Sequence, residues 1–210
     1  MAKLCRTYWY PLYAYIRRKG YDAPDAQDLT QEFFARLMAR NYLSVADRNK
    51  GKFRSFLLGS LEHFLAREWT KAHAQKRGGG QAIFSLDALN AENRYLHEPA
   101  DQMTAEKIFD RRWATTLLDQ GMTRLEAECL ASHKSDLFAK VKGLLSGEKG
   151  ESSSSELAAS LNMSEGALNV AVHRLRQRFG ELLRDEIAQT VSTPEEVDEE
   201  LRYLIALLRE

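Results

Sequence analysis

Proline and glycine are scarce in this chain, four and twelve among 210 residues. With so few turn formers, a sandwich or barrel of many short strands is excluded, and long stretches at helical period take its place. Cysteine is scarcer still. Cys5 and Cys129 are the only two, too few and too far apart for a disulfide scaffold, and they read as buried or half-buried thiols in a reducing cytoplasm. Long apolar runs are absent as well, so no membrane-spanning helix is expected. The opening MAKLCRTYWY lacks the basic, apolar and small-residue succession of a secretory signal. The expected location is therefore cytoplasmic. Net charge is the last absence: thirty Lys/Arg balance thirty Asp/Glu.

That balance hides an asymmetry. Residues 1–80 carry fifteen Lys/Arg against seven Asp/Glu, a net +8, whereas residues 185–210 carry two against eight, a net −6. Residues 81–151 are at −3 and residues 152–184 at +1. Nucleic-acid binding follows local positive charge rather than pI. The first eighty residues are thus a candidate surface for DNA, and the acidic tail is not.

The most informative stretch is SELAASLNMSEGALNVAVHRLRQRF, Ser155 to Phe179. Leu157 and Leu161 give a short first helix one apolar face. Asn162 tolerates the left-handed conformation that a helix exit needs, and Met163 plugs the angle behind it. Ser164 stands where an N-cap belongs, and Glu165 lies near the positive end of the next helix dipole. Leu168, Val172, Leu175, Phe179 and Leu182 recur at gaps of four and three, one buried stripe. The opposite face carries Asn169, His173, Arg176 and Gln177, flanked by Arg174 and Arg178. A packed back and a polar, cationic front are what a DNA-reading helix-turn-helix requires. An ordinary helical hairpin with a solvated basic face is the alternative reading.

Elsewhere the periodicity predicts an all-α chain. A first helix covers about Lys3 to Lys19, with Leu4, Tyr8, Leu12 and Tyr15 or Ile16 on one face and Gly20 closing it. Asp22 and Pro24 open a second helix that buries Leu29, Phe33 and Leu37. A third runs from about Phe53 to His73 with Phe53, Phe56, Leu57, Leu61, Phe64 and Leu65 inward. Gly78-Gly79-Gly80 starts a linker without firm periodicity, in which SLD at 85–87 and HEPAD at 97–101 read as turns or caps. A second helical domain begins near Ala105, its core started by Phe109, Trp113, Leu117 and Leu118 and continued by Leu125 and Cys129. Leu137, Phe138, Val141, Leu144 and Leu145 make another short helix, and GEKGESSSS reads as a flexible connection. Thr193 caps a final helix with Pro194 in its first turn and Val197, Leu201, Leu204 and Leu208 as its stripe. This acidic helix is expected to pack on the second domain, with a contact to a regulatory protein as the alternative.

Catalysis finds no support. His63, His73, His97, His133 and His173 show no zinc-ligand spacing with the cysteines, and no P-loop or Gly-x-Ser-x-Gly is present. Asp25, Asp28 and Glu32 share a helix, which reads as a solvated acidic face. Neither an enzyme nor a cofactor is expected.

The order of parts carries a resemblance. DLTQEFFARL, then FRSFLLGSLEHFLAREW ending in KAHAQKR, then SSELAASLNMSEGALNVAVHRLRQRF resembles the extracytoplasmic-function RNA polymerase sigma factors of the sigma-70 family. LCRTYWYPLYAY, KRGGGQ and PEEVDEEL are similar to a subgroup of sigma-like proteins from planctomycetes and related bacteria. The resemblance implies two small helical domains: a sigma-two-like domain over 1–77, a linker over 78–104 and a sigma-four-like helix-turn-helix domain over 105–184, here followed by an acidic extension over 185–210. It implies a factor that directs core RNA polymerase to promoters, with the β′ clamp helices and the β subunit as partners beside promoter DNA, and it makes an anti-sigma or other regulatory protein the alternative partner of the acidic extension. Asp28, Gln31, Glu32 and Arg36 would then dock on the clamp helices. His63, Arg67, Trp69, Lys71, Lys76 and Arg77 would hold the melted minus-ten element, with bases in pockets and cations on phosphates. His63 stands where the family often has Asn, Glu62 where Arg is common, and Arg67 where an acidic residue is common. Ser164, Glu165, Asn169, His173, Arg174, Arg176 and Arg178 would meet the minus-thirty-five element, Arg176 and Arg178 through phosphates. Val170 and Ala171 occupy places where members often show polar or basic residues, which limits readout to fewer hydrogen bonds. Two other readings stay open: a helix-turn-helix regulator that does not bind the polymerase, and a helical protein-interaction adaptor.

Overall fold

The computed structural model describes residues 2–39, 52–74, 86–96, 103–145, 153–191 and 193–209. Every regular element among them is a helix: α1 (Ala2–Arg18), α2 (Ala23–Ala39), α3 (Phe53–Ala74), α4 (Leu86–Leu96), α5 (Ala105–Ala131), α6 (Ser135–Leu145), α7 (Ser154–Ser160), α8 (Glu165–Ala188) and α9 (Pro194–Leu207). No described helix is long and apolar enough to cross a membrane. The chain divides into two compact units, residues 1–116 with 190–210, and residues 117–189.

In the first unit α1 is buried on most of its circumference. Tyr8, Tyr10, Leu12, Tyr13, Ala14, Tyr15 and Ile16 are all inside, far more than the single predicted stripe, because α2, α4 and other helices of this unit cover several sides. Gly20, at φ 99°, ends α1 in the left-handed region that glycine reaches without steric cost. The Asp22 side chain then accepts from the Asp25 N–H at 2.8 Å and starts α2. Against α1 and α3, α2 buries Ala26, Thr30, Phe33, Phe34 and Leu37. Leu29 is only half-buried, a correction to the expected stripe: the packed arc is centred nearer Thr30 and Phe34. Phe33 meets Phe64 of α3 at 5.6 Å between ring centres, and Leu57, Leu61 and Leu65 complete that side.

Two elements depart from the sequence expectation. The supposed linker over 78–104 contains α4, held on α1 by polar contacts: Glu92 accepts from Arg17 at 2.8 and 3.0 Å and from the Tyr13 hydroxyl. The Arg94 guanidinium lies 4.1 Å from the centre of the Tyr10 ring. HEPAD at 97–101 lies outside the described residues, as do Gly78 to Gly80 and most of GEKGESSSS. The second departure is the acidic end. Instead of packing on the helix-turn-helix, α9 belongs to the first unit. Thr193 caps the helix with Pro194 in the first turn, as expected, and Glu196 completes a capping box; Val197 and Leu204 are buried, whereas Leu208 is exposed.

Although α5 begins at Ala105 as expected, the boundary between units falls inside it, between Thr116 and Leu117. Ile108, Phe109 and Trp113 serve the first core, and Leu125 and Cys129 the second. Full burial of a side chain of this kind stabilises by roughly 1.5–3 kcal/mol. At its end, His133 takes φ 56° while the Lys134 N–H bonds the Cys129 carbonyl at 2.8 Å, closing the helix.

The second unit is built on two joined clusters. Leu125, Cys129, Phe138 and Leu182 form one, with Met122, Leu175 and Phe179 packed on it. Val141, Ala158, Leu168 and Val172 form the other, with Leu137, Leu144, Leu157 and Leu161 at its edge. Gly121 lets α5 and α8 approach closely: a Cβ there would lie 3.0 Å from both Leu183 Cδ2 and Phe179 Cε2.

Candidate functional site

On α2 the four residues proposed to meet a partner do not behave alike. Asp28 and Glu32 are exposed and Gln31 is half-buried, on the side opposite Phe33 and Phe34. Arg36 instead is engaged within the unit: it bonds Glu32, reaches Glu68 at 2.7 Å and lies 4.8 Å from the centre of the Phe64 ring. It positions Glu32 and ties α2 to α3 rather than offering a free cation. The Asp25 carboxyl is pushed up, by burial first and then by the neighbouring carboxylates Asp22 and Asp28. This end of α2 is therefore a concentration of negative charge.

The distal part of α3 carries the second set. His63 and Arg67 are exposed, and Trp69 is 59 % exposed. Lys71 lies within α3, while Lys76 and Arg77 lie outside the described residues. Trp69 borders a groove of ≈ 410 Å³ with Tyr15, Lys19, Tyr21, Glu62, Leu65 and Ala66. In it the Tyr15 hydroxyl donates to Glu62 at 2.7 Å, and Lys19 pairs with Glu106 at 2.9 Å. The Lys19 bond, its own backbone N–H and Thr104 hold the Glu106 carboxyl down at about 2. Glu62, noted in the sequence only for its charge, thus serves to anchor Tyr15, and no periodic signal marks that pairing.

The helix-turn-helix has the local geometry that its sequence predicts. Ser153 and Glu156 form a capping box at the start of α7, and the serine-to-glutamate spacing within SSSSE is its sequence signal. Asn162 takes φ 54°, and the Met163 N–H bonds the Ala158 carbonyl at 3.0 Å. Ser164 caps α8 by accepting from the Ala167 N–H at 3.2 Å, which occupies its hydroxyl in holding the turn. Leu168, Val172 and Leu182 are buried, with Leu175 and Phe179 packed beside them.

On the outward side Glu165, Asn169, His173 and Arg174 are exposed, and Val170 is 51 % exposed. The remaining arginines are committed elsewhere. Arg176 donates to the Leu144 carbonyl at 2.9 Å and so satisfies the end of α6. Arg178 chelates Glu128 at 2.8 and 2.9 Å and bonds Glu181 at 2.8 Å. The hydrogen bond from Arg178 holds the Glu128 carboxyl low. Of the three arginines assigned to the minus-thirty-five element, Arg178 is in ion pairs and Arg176 is bonded to a backbone carbonyl, which leaves Arg174 as the exposed cation of this front among the described residues.

No family model matches this chain, and neither a curated protein nor a solved structure matches it at a significant level. Among the described residues no group of three or more His, Cys, Asp and Glu is placed to hold a metal ion.

Proposed function

We propose that the chain is a sigma-type transcription initiation factor: it binds core RNA polymerase through the first unit and contacts promoter DNA through both. The observation that carries this reading is the α7–α8 helix-turn-helix, capped at Ser153 and Ser164 and turned by a left-handed Asn162, with Asn169, His173 and Arg174 on its open front. Support comes also from α2, whose exposed Asp28 and Glu32 stand on a packed back in the order of motifs that the sigma-factor resemblance requires.

The charges favour this reading over a free-standing regulator. A helix-turn-helix that binds DNA by itself draws its affinity from phosphate contacts, each worth about 0.9 of a counterion in salt dependence. With Arg176 and Arg178 tied to Leu144 and Glu128, this front offers few such contacts. A module of that kind needs a larger assembly to hold it on the duplex, and the polymerase supplies one. The charge-reversed pair Asp28→Arg/Glu32→Arg should retain its helicity and lose co-purification with core polymerase. Retention of the polymerase at wild-type level would remove the support α2 gives.

A further inference from the structure

The acidic helix α9 covers a cationic edge at the start of α3. Lys52 Nζ lies 2.7 Å from Glu200 and 3.8 Å from Glu199. The Arg54 guanidinium meets Glu200 at 3.3 and 3.4 Å. On its other side Arg54 bonds Asp110, and it stacks 4.5 Å from the Tyr203 ring centre and 5.0 Å from that of Trp113. Glu200 is 1 % exposed, and Arg54 is 11 % exposed in its side chain. The Phe53 N–H, first in α3, bonds the Thr190 carbonyl in the segment leading to α9.

The arrangement is one of a cationic edge with an anionic occupant supplied by the same chain. Residues 1–116 hold nineteen Lys/Arg against thirteen Asp/Glu, +6, and residues 190–210 hold two against six, −4. Docked, α9 therefore brings the first unit to +2. It follows α8 through residues 189–193, and its buried apolar anchors among the described residues are Val197 and Leu204, with Val191 ahead of them. Lys52 and Arg54 present N–H donors of the kind that phosphate oxygens accept.

We propose that Lys52 and Arg54 form an anion-binding edge for the phosphates of single-stranded nucleic acid, and that α9 is its built-in competitor. Glu199 and Glu200 hold the site while α9 is docked; lifting α9 frees Lys52 outright and leaves Arg54, still beside Asp110, with the donors that faced Glu200 open to a phosphate backbone. The inference rests on the first unit meeting melted promoter DNA, but its test needs no polymerase. A failure of transcription initiation and a failure of this edge are therefore separate results.

The experiment is binding of the full chain to a single-stranded oligothymidylate of about 20 nucleotides, followed by fluorescence anisotropy between about 50 and about 200 mM salt. Two variants release the edge by different routes. Glu199→Gln/Glu200→Gln removes the competing charge, and Val197→Ala/Leu204→Ala loosens the helix with its charge intact. Glu195→Gln/Asp198→Asn is the control, changing the same formal charge at exposed positions of α9. Lys52 is the cation freed outright, because Arg54 keeps Asp110; at about 0.7 of a counterion it steepens the logarithmic salt dependence by about 0.7. That is roughly a 2.6-fold larger loss of affinity across this salt range. Both releasing variants should show it, with affinity at low salt at least about fivefold above wild type, while the control stays within about twofold. Wild-type affinity in both releasing variants would overturn the proposal, and so would an equal gain in the control.

Discussion

The Arg54 cluster gives the sharpest test of how the first unit is held together. Replacing Arg54 by Met keeps the aliphatic stem between Trp113 and Tyr203 and removes only the charged head. Asp110 then keeps the Tyr203 hydroxyl at 2.7 Å and Glu200 keeps Lys52 at 2.7 Å, so neither carboxylate is left bare. Breaking a buried ion pair on one side costs about 3–5 kcal/mol. The surviving partners put this case at the lower end, roughly 3 kcal/mol. All three tryptophans, Trp9, Trp69 and Trp113, lie in the first unit, so tryptophan fluorescence during urea unfolding reports this unit alone. With a urea slope of about 2 kcal/mol/M, the midpoint should fall by on the order of 1.5 M. Adding Asp110→Asn should recover part of the loss, because Asp110 keeps only the neutral Tyr203 hydroxyl and its uncompensated charge goes with the substitution. A loss below about 1 kcal/mol for Arg54→Met would refute the reasoning, since it is the range of a solvated pair.

Three further outcomes are expected. Gly121→Leu should destabilise the second unit by about 1–3 kcal/mol, because the new side chain meets Phe179 and Leu183 where a Cβ alone already lies at 3.0 Å; thermal unfolding by circular dichroism reads it. Asn169→Ala or Arg174→Ala should change which upstream sequences win a selection over randomised promoters, while Arg178→Ala should leave the preference and its salt dependence unchanged, its charge being already paired with Glu128. Glu106 titrates at about 2 in the folded chain, below its ordinary 4.5. Its contribution is therefore complete above that ordinary value and is lost as pH falls towards 2, so the stability gap between wild type and Glu106→Gln should close over that window in acid-unfolding curves.

Where local chemistry decides the structure, the sequence was legible. Gly20, Asp22, Asn162, Ser164 and Thr193 each act at the turn or cap that their side chains suit. The stripe of α8 is buried or partly buried along its length because the two joined clusters take it between them, Leu168 and Val172 in one and Leu182 in the other. What escaped was set by long-range pairing. In α4 only Ala91 is buried among the described side chains, and the helix is held through Glu92 and Arg94, so no apolar period announces it. In α9 the carboxylates read as a solvated face, yet Glu200 is inside because Lys52 and Arg54, far away in sequence, meet it there. In α5 one unbroken helix serves two cores, so the division at Thr116 leaves no proline, glycine or polar run to mark it. The same blindness touched the candidate site: Arg176 and Arg178 sit at positions suited to phosphate contact, and only their contacts with Leu144 and Glu128 show them occupied.

As the proposed sigma-type factor, the chain should confer promoter-dependent initiation on a polymerase that lacks it. Run-off transcription with purified bacterial core polymerase and a library of genomic promoters, with and without the chain, reads this most directly. Discrete transcripts should appear only when the chain is added, and should vanish with Asp28→Arg/Glu32→Arg. A chain that leaves core polymerase inactive at every promoter, while the free protein binds a specific duplex tightly at physiological salt, would contradict the proposed role.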